Sequence, residues 1–292
     1  MLRTVEAHSG LALPVLGLGT WHMGESAGQR AIEVAAVRAA IEMGYRLIDT
    51  AEMYGEGGAE QVVGEAVAGA LRDGEVRRDE LVIVSKVYPH NASRAGVPAA
   101  CERSLRRLGL ERIDLYLLHW RGEVPLAETV QALRALVAAG RIGAWGVSNF
   151  DPADLRELLA IEPAAAPSAR AMRCASNQVH YSLRARGVEF DLLPALRGQG
   201  IPLMAYSPID QGAIATDRRL AEVGARHGAS AAQVALARLL AEPGVVAIPK
   251  AVRHAHLRAN LDAAALQLDA DDLAQIDRAF PPPRRATPLS ML

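Results

Sequence analysis

Short apolar runs alternate with longer amphipathic stretches from residue 15 almost to the end of the chain. The eight runs are VLGLGTW (15–21), RLIDTA (46–51), LVIVSKV (81–87), IDLYLLH (113–119), IGAWGVSN (142–149), ASNQVHY (175–181), PLMAYSP (202–208) and VVAIPK (245–250). Their near-continuous apolar character marks strands buried on both faces, as in a parallel sheet. Between them, segments such as RAIEVAAVRAAIEMG and AETVQALRALVAAG place apolar residues every three or four positions, the period of a helix with one buried face. Eight such strand and helix units predict an α/β chain closed into a (β/α)8 TIM barrel.

Ahead of the first run, TVEAHSGLALP reads as two short strands about a Ser-Gly turn, a hairpin able to plug the N-terminal end of the barrel. Beyond the eighth unit, LDADDLAQIDRAF predicts an additional helix, with Asp269 placed to cap its start and three prolines to end it. The Pro/Ala-rich segment IEPAAAPSAR (161–170) lies between a helix and a strand and reads as a loop, not a linker. Residues 1–292 are therefore expected to form one domain, because such barrels reach about 250 residues or more in one piece.

Barrel enzymes carry their chemistry at the C-terminal ends of the strands. Here the second run ends at Asp49 with Tyr54 just after it, the third at Lys86 and the fourth at His119. The fifth ends at Ser148 and Asn149, the sixth carries Asn177 and Gln178, the seventh closes on Tyr206, Ser207 and Pro208, and the eighth on Lys250. Singly, each has a plainer role: Asp49 and Lys86 as a structural ion pair, His119 as a satisfied core histidine, Tyr54 as a loop anchor. Jointly they converge on one end of one barrel, where polar groups beside an apolar interior must pair with one another or with a ligand. A phenol titrates near about 10 and donates poorly at neutral pH, but a neighbouring ammonium lowers that value. Lys86 is expected to act so on Tyr54, with Asp49 holding Lys86 charged and His119 hydrogen-bonding a substrate oxygen. Such a set suits proton donation to a carbonyl during its reduction.

Composition narrows the partners. Half of the residues are hydrophobic and 22% are charged, enough apolar material for a large core and against a disordered chain. The formal net charge is −1, and the basic stripe that nucleic acid requires is absent. No apolar run reaches the roughly 18 residues of a membrane span, and the first residues lack the apolar core of a secretion signal, so a cytoplasmic protein is expected. Cys101 and Cys174 are isolated, which points to buried spectators without a disulfide framework. His254 and His256 stand two apart and face different sides of a helix, so no metal site is expected. Only two of the 32 lysines and arginines are lysine, Lys86 and Lys250, and both end strand-like runs. A compact charge with a tunable pKa is what lysine supplies and guanidinium cannot. The GLGT string invites comparison with a dinucleotide fingerprint, but after Gly17 and Gly19 the third glycine position holds His22, which argues against a Rossmann domain.

In this order and spacing, GLGTW, LIDTAEMYG, VSKV, DLYLLHW, WGVSNF, NQV, AYSP and IPK resemble the aldo-keto reductase superfamily from about residue 13 to 280. The resemblance implies a (β/α)8 barrel that binds NADPH without a Rossmann domain, and a catalytic tetrad of Asp49, Tyr54, Lys86 and His119. It implies Tyr54 as the general acid, with hydride passing from the nicotinamide to the carbonyl carbon. Ser148, Asn149 and Gln178 would hold the carboxamide, and Tyr206 would stack on the nicotinamide ring. Ser207, Pro208, Gln211 and Gly212 would follow the pyrophosphate, while Gly19, Thr20, Trp21, Asp49 and Ile248 flank the cofactor. Lys250 matches the residue that meets the ribose 2′-phosphate, with Asn260 at the adenine.

The chain departs from the commoner pattern at that phosphate. The serine after the lysine is Ala251 and the arginine six positions on is His256, with Arg253 close enough in sequence to compensate. Trp21, Met53, Tyr54, Tyr88, His119 and Trp120 would wall the substrate mouth. The tail after Phe280, PPPRRATPLSML, offers little material for the long lid of steroid-binding relatives, so a small aldehyde or 2-oxoaldehyde is expected. DTAEMYGEGGAEQVVGEA, SKVYP and LLHW resemble most the bacterial members described as methylglyoxal reductases. Two other readings use the same residues. One is a nicotinamide-binding regulatory subunit of the same fold; the other is a Schiff-base enzyme with Lys86 as nucleophile, against which a paired Asp49 argues by stabilising the ammonium. A monomer acting on a small molecule, without nucleic-acid or membrane partner, is the expectation.

Overall fold

Residues 2–162 and 172–292 are described by the computed structural model, and they begin with the expected hairpin. Strands β1 (Thr4–Glu6) and β2 (Ala12–Pro14) pair antiparallel, with Val5 opposite Leu13 and Gly10 turning at φ 92°. Eight parallel strands follow: β3 (Leu18–Gly19), β4 (Leu47–Asp49), β5 (Val82–Val87), β6 (Ile113–Leu118), β7 (Ile142–Ser148), β8 (Asn177–His180), β9 (Leu203–Tyr206) and β10 (Val245–Ala247). Each pairs with the next in chain order. Parallel bridges from Leu16 to Ala247 and from Gly19 to Lys250 join the first strand to the last and close the barrel. Gly19 suits that seam, since a Cβ there would stand 2.7 Å from the Ile248 carbonyl oxygen.

Side-chain alternation divides the core in two. Leu47, Val84, Leu115, Leu117, Met204 and Val246 pack together inside the barrel, and Ala7 and Leu13 of the hairpin join that cluster, so the hairpin plugs the barrel floor. Their neighbours Ile48, Ile83, Tyr116 and Leu118 face outward into a second cluster with the helices. Both strand faces are therefore buried, which is why these runs read as continuous apolar sequence.

Helices α1 (Arg30–Glu42), α2 (Gly58–Arg72), α3 (Gly96–Leu108), α4 (Leu126–Ala138), α5 (Pro152–Ile161) and α6 (Leu192–Gly198) each cover one crossover. Between β9 and β10 there are two, α7 (Arg218–His227) and α8 (Ala231–Leu240), followed by α9 (His254–Ala265). The extra helix α10 (Ala270–Ala279) starts where expected: Asp269 accepts from the Asp272 backbone N–H at 2.8 Å. Asp272 is wholly buried and also accepts from Arg226 and, at 2.6 Å, from His227, fastening α10 to α7. Helix α5 ends at Ile161 with Glu162 as its C-cap, and residues 163–170 of the loop expected over 161–170 lie outside the described residues. Cys101 and Cys174 are free and buried. Among the described residues no helix is long and apolar enough to cross a membrane, and no group of side chains could hold a metal ion.

The backbone departs from its usual regions mostly at one end of this barrel. Among the described residues, the non-glycine residues with positive φ are His22, Glu56, Asn149, Ser207, Asp210 and Gln211, all in loops that follow β3, β4, β7 or β9. Each costs on the order of 1–3 kcal/mol, a strain that concentrates at functional sites.

Candidate active site

The strands bring Asp49, Lys86 and Tyr54 together at that end. Lys86, with no exposed surface, donates to Asp49 Oδ2 at 2.8 Å, the Thr50 carbonyl at 2.9 Å and the Tyr54 hydroxyl at 3.0 Å. The second oxygen of Asp49 accepts from Gln178 Nε2 at 2.8 Å, across the barrel. Thr20 Oγ1 donates to the Asp49 carbonyl at 2.9 Å. The turn carrying Tyr54 (Tyr54–Gly57) is held against the loop after β3, where Gly24 and Gly58 approach so closely that a Cβ on Gly24 would lie 2.1 Å from the Gly58 backbone. Buried Glu52 holds the other side, accepting from the Tyr88 backbone at 2.8 Å, Asn91 at 3.0 Å and Arg103 at 3.3 Å. The His119 ring meets Tyr54 edge-on, with centroids 5.8 Å apart, and its Nδ1 is buried without a hydrogen-bond partner among the described residues.

Burial and charge compete here. Burial lowers Lys86, but Asp49 and Tyr54 outweigh it and hold the ammonium above its ordinary value. With its three protons engaged, Lys86 has no free pair to attack a carbonyl, which disfavours the Schiff-base reading. Burial raises Asp49 against the pull of Lys86 and Gln178. For Tyr54 the expected lowering by Lys86 is present but outweighed: burial, helped by Asp49, leaves the phenol above its ordinary value. Burial first, and then the Lys86 charge, drive His119 well below the usual imidazole value, so it is neutral at physiological pH.

Above these groups opens a cavity of about 280 Å³. The expected Gly19, Thr20, Trp21, Asp49, Met53, Tyr54, His119, Trp120, Ser148, Asn149, Gln178, Tyr206, Ser207, Ile248 and Lys250 all line it. Within it, Tyr206 Oη donates to Asn149 Oδ1 at 3.1 Å, and Asn149 Nδ2 reaches the His119 carbonyl at 3.1 Å. A second cavity shares Trp21, Ser207 and Lys250 with the first and takes in Pro208, Gln211, Gly212, Arg253, His256 and Asn260. Its lining holds Lys250, Arg253, His22 and His256 and no carboxylate, a setting for an anion.

Two placements differ from expectation. Tyr88 does not line the cavity; its ring packs edge-on to Trp120, with centroids 5.9 Å apart, and supports that wall from behind. The tail, expected to offer little material for a long lid, still reaches the barrel mouth, where Met291 and Leu292 line the cavity. Its only sequence signal is the apolar PLSML after a basic, proline-rich stretch.

What the barrel offers is a phenol beside an ammonium, next to room for a long anionic ligand, as in NADP-dependent oxidoreductases of the barrel class. The chain belongs to the aldo/keto reductase family, which it matches over residues 15–280. It is 45% identical to methylglyoxal reductase YeaE of Escherichia coli, with 99% of each chain covered. Glyoxal reductase of Bacillus subtilis is 36% identical over 94% of this chain and 91% of its own. An aldo/keto reductase of Klebsiella pneumoniae, solved with NADP and acetate, superposes with a TM-score of 0.90 at 45% identity, covering 100% of both chains. The protein is an NADP-dependent oxidoreductase, and its residues fit that cofactor: the cavity around Lys250, Arg253 and His256 carries basic side chains and no carboxylate, as an anionic nucleotide requires.

Proposed function

We propose that this protein reduces small 2-oxoaldehydes, methylglyoxal among them, with NADPH, and that Tyr54 supplies the proton. The observation that carries the reading is the 3.0 Å hydrogen bond from Lys86 to the Tyr54 hydroxyl at the floor of an apolar, aromatic cavity. When bound, the cofactor supplies a hydride. As the carbonyl oxygen gains charge, Tyr54 gives it a proton and Lys86 stabilises the phenolate left behind, while Asp49 keeps Lys86 charged and in place. Neutral His119 offers a hydrogen bond that orients the carbonyl without adding a second positive charge. Gln178, expected to hold the carboxamide, spends its amide N–H on Asp49 and so also orients the ion pair. Gln178 Oε1 joins Ser148 and Asn149 as the expected partners of the carboxamide, with Tyr206 at the nicotinamide face.

Size selection follows from the walls. Trp21, Met53, Trp120 and the two tail residues wall a cavity of about 280 Å³ that also takes in the residues expected around the nicotinamide, so the space beside a bound cofactor is smaller and suits a short carbonyl compound. Relatives at 45% and 36% identity named for methylglyoxal and glyoxal support the same class. The test is nicotinamide absorbance with methylglyoxal and a series of aliphatic and aromatic aldehydes, with NADPH and NADH in parallel. Rapid NADPH oxidation with the short 2-oxoaldehydes is expected. Tight NADPH binding without turnover of any carbonyl would instead favour a nicotinamide-sensing subunit.

A further inference from the structure

His180 ends β8 one turn of side chains beyond Gln178 and takes no part in the chemistry above, yet it is 95% buried by its surroundings, with 5% of its surface exposed. Its ring stacks on Tyr206, with centroids 5.5 Å apart and planes 17° from parallel. Its Nδ1 stands 2.9 Å from the hydroxyl of Ser290, in the tail, and its Nε2 stands 3.5 Å from Asp210, in the strained loop after β9. One tautomer serves both contacts: Ser290 donates to Nδ1, and the Nε2 proton faces the carboxylate. Asp210 is itself held by the Ser182 hydroxyl at 2.6 Å. A single imidazole thus touches the tail, the ring that flanks the catalytic cavity and the loop beside the cationic cavity.

The tail has three further holds: Leu289 packs against the outer core, Thr287 lies against Gly187, and the Leu292 backbone hydrogen-bonds the Tyr206 hydroxyl. Met291 and Leu292 remain 54% and 64% exposed although they line the cavity, so their burial alone is a weak hold. The segment before them, PPPRRATPLS, belongs to no helix or strand. The contact between His180 and Ser290, 110 positions apart, is the side-chain hydrogen bond that ties the end of the tail to the barrel next to Met291 and Leu292.

We propose that His180 is a positioning residue that latches the tail over the substrate cavity through Ser290, so that Met291 and Leu292 set the size of carbonyl compound admitted. The inference rests on the carbonyl-reducing reading of the site. It makes the tail a selective cover of the cavity. Loss of the latch frees the cover without touching Tyr54, Lys86 or His119, so substrate affinity changes while the chemical step does not.

The experiment compares Ser290→Ala, His180→Phe and the double variant with the wild type. Phenylalanine keeps a ring against Tyr206 and removes both polar contacts. Expected are a KM for methylglyoxal raised by about three- to tenfold in each single variant, the range for one lost hydrogen bond, with kcat nearly unchanged. Bulky aromatic aldehydes should gain on methylglyoxal in kcat/KM, and the double variant should behave as His180→Phe alone, because both changes break one contact. Hydrogen exchange of a peptide from 281–292, read by mass spectrometry, should lose protection in all three. Wild-type KM and wild-type exchange in Ser290→Ala would overturn the latch, as would effects of the two substitutions that simply add. If the wild type turns over no carbonyl, the reductase reading fails on its own, and the exchange measurement still decides whether His180 holds the tail.

Discussion

Lys86 Nζ lies 3.0 Å from the Tyr54 hydroxyl and also sits over the face of the same ring, 4.7 Å from its centroid. The ammonium therefore stabilises a phenolate through its proton and through the ring's electrons at once. Tyr54→Phe keeps the ring, its packing and the cation above it, and removes only the acidic proton. Turnover with methylglyoxal should fall by about 10²–10⁴-fold, the usual contribution of a positioned general acid. NADPH affinity, read by fluorescence titration, should stay within about twofold. Near wild-type turnover in this variant would end the assignment.

The same residues fix the shape of the pH profile for reduction. Tyr54 must be protonated to act, and its value is raised above 10.0, so the alkaline limb lies above that pH. His119 acts as a neutral ring, and its value is driven well below 6.5, so the acid limb lies below that pH. Between the two, kcat/KM for the carbonyl at saturating NADPH should be flat. An inflection near 6.5 would mean that His119 is solvated in solution, and one well below 10 would mean that Lys86 outweighs burial at Tyr54.

Asp49, Lys86 and His119 were legible in the sequence because each interrupts an apolar run at its C-terminal end, where a barrel exposes only the site. The barrel itself was legible for the same reason, since strands buried on both faces leave a period the helices do not share. Position along the chain says less about orientation. Tyr88 stands just past a strand end, yet its ring turns behind Trp120 because the Glu52 carboxylate holds its backbone N–H. Helices α7 and α8 are separate because Gly228, at φ 63°, ends the first and Ser230 caps the second. The tail was illegible, because nothing local in PPPRRATPLSML says where it packs; its contacts are with His180, Tyr206 and Gly187, all distant in the chain. The net pKa of Tyr54 was misjudged on the same ground: sequence supplies the neighbouring charge but not the depth of burial.

At the anion end, Lys250 is exposed beside Arg253 and His256 in a cavity without carboxylates, and the sequence places lysine there against a strong preference for arginine. If the ribose 2′-phosphate sits there, Lys250→Ala should weaken NADPH binding by about tenfold or more, the worth of one charge-assisted hydrogen bond, and leave NADH within about twofold. Titration of both nucleotides by fluorescence quenching reads this directly. Equal losses for the two would move the phosphate contact to another residue.

Stability of the site depends on a carboxylate that never meets a ligand. Glu60, at the start of α2, has no exposed surface; it accepts from Arg107 Nε at 2.6 Å and from the hydroxyl of Ser85, the neighbour of Lys86 in β5, also at 2.6 Å. It ties together α2, α3 and the strand that positions the ammonium. Glu60→Ala leaves a partly buried guanidinium and a buried hydroxyl without their acceptor, and should destabilise the fold by about 3–5 kcal/mol, as when one member of a buried ion pair is removed. Glu60→Gln keeps an acceptor oxygen of the same reach and should recover part of that loss. Urea unfolding followed by tryptophan fluorescence measures both variants. A loss below about 1 kcal/mol in Glu60→Ala, the level of a surface pair, would show that solvent takes over the role of the carboxylate.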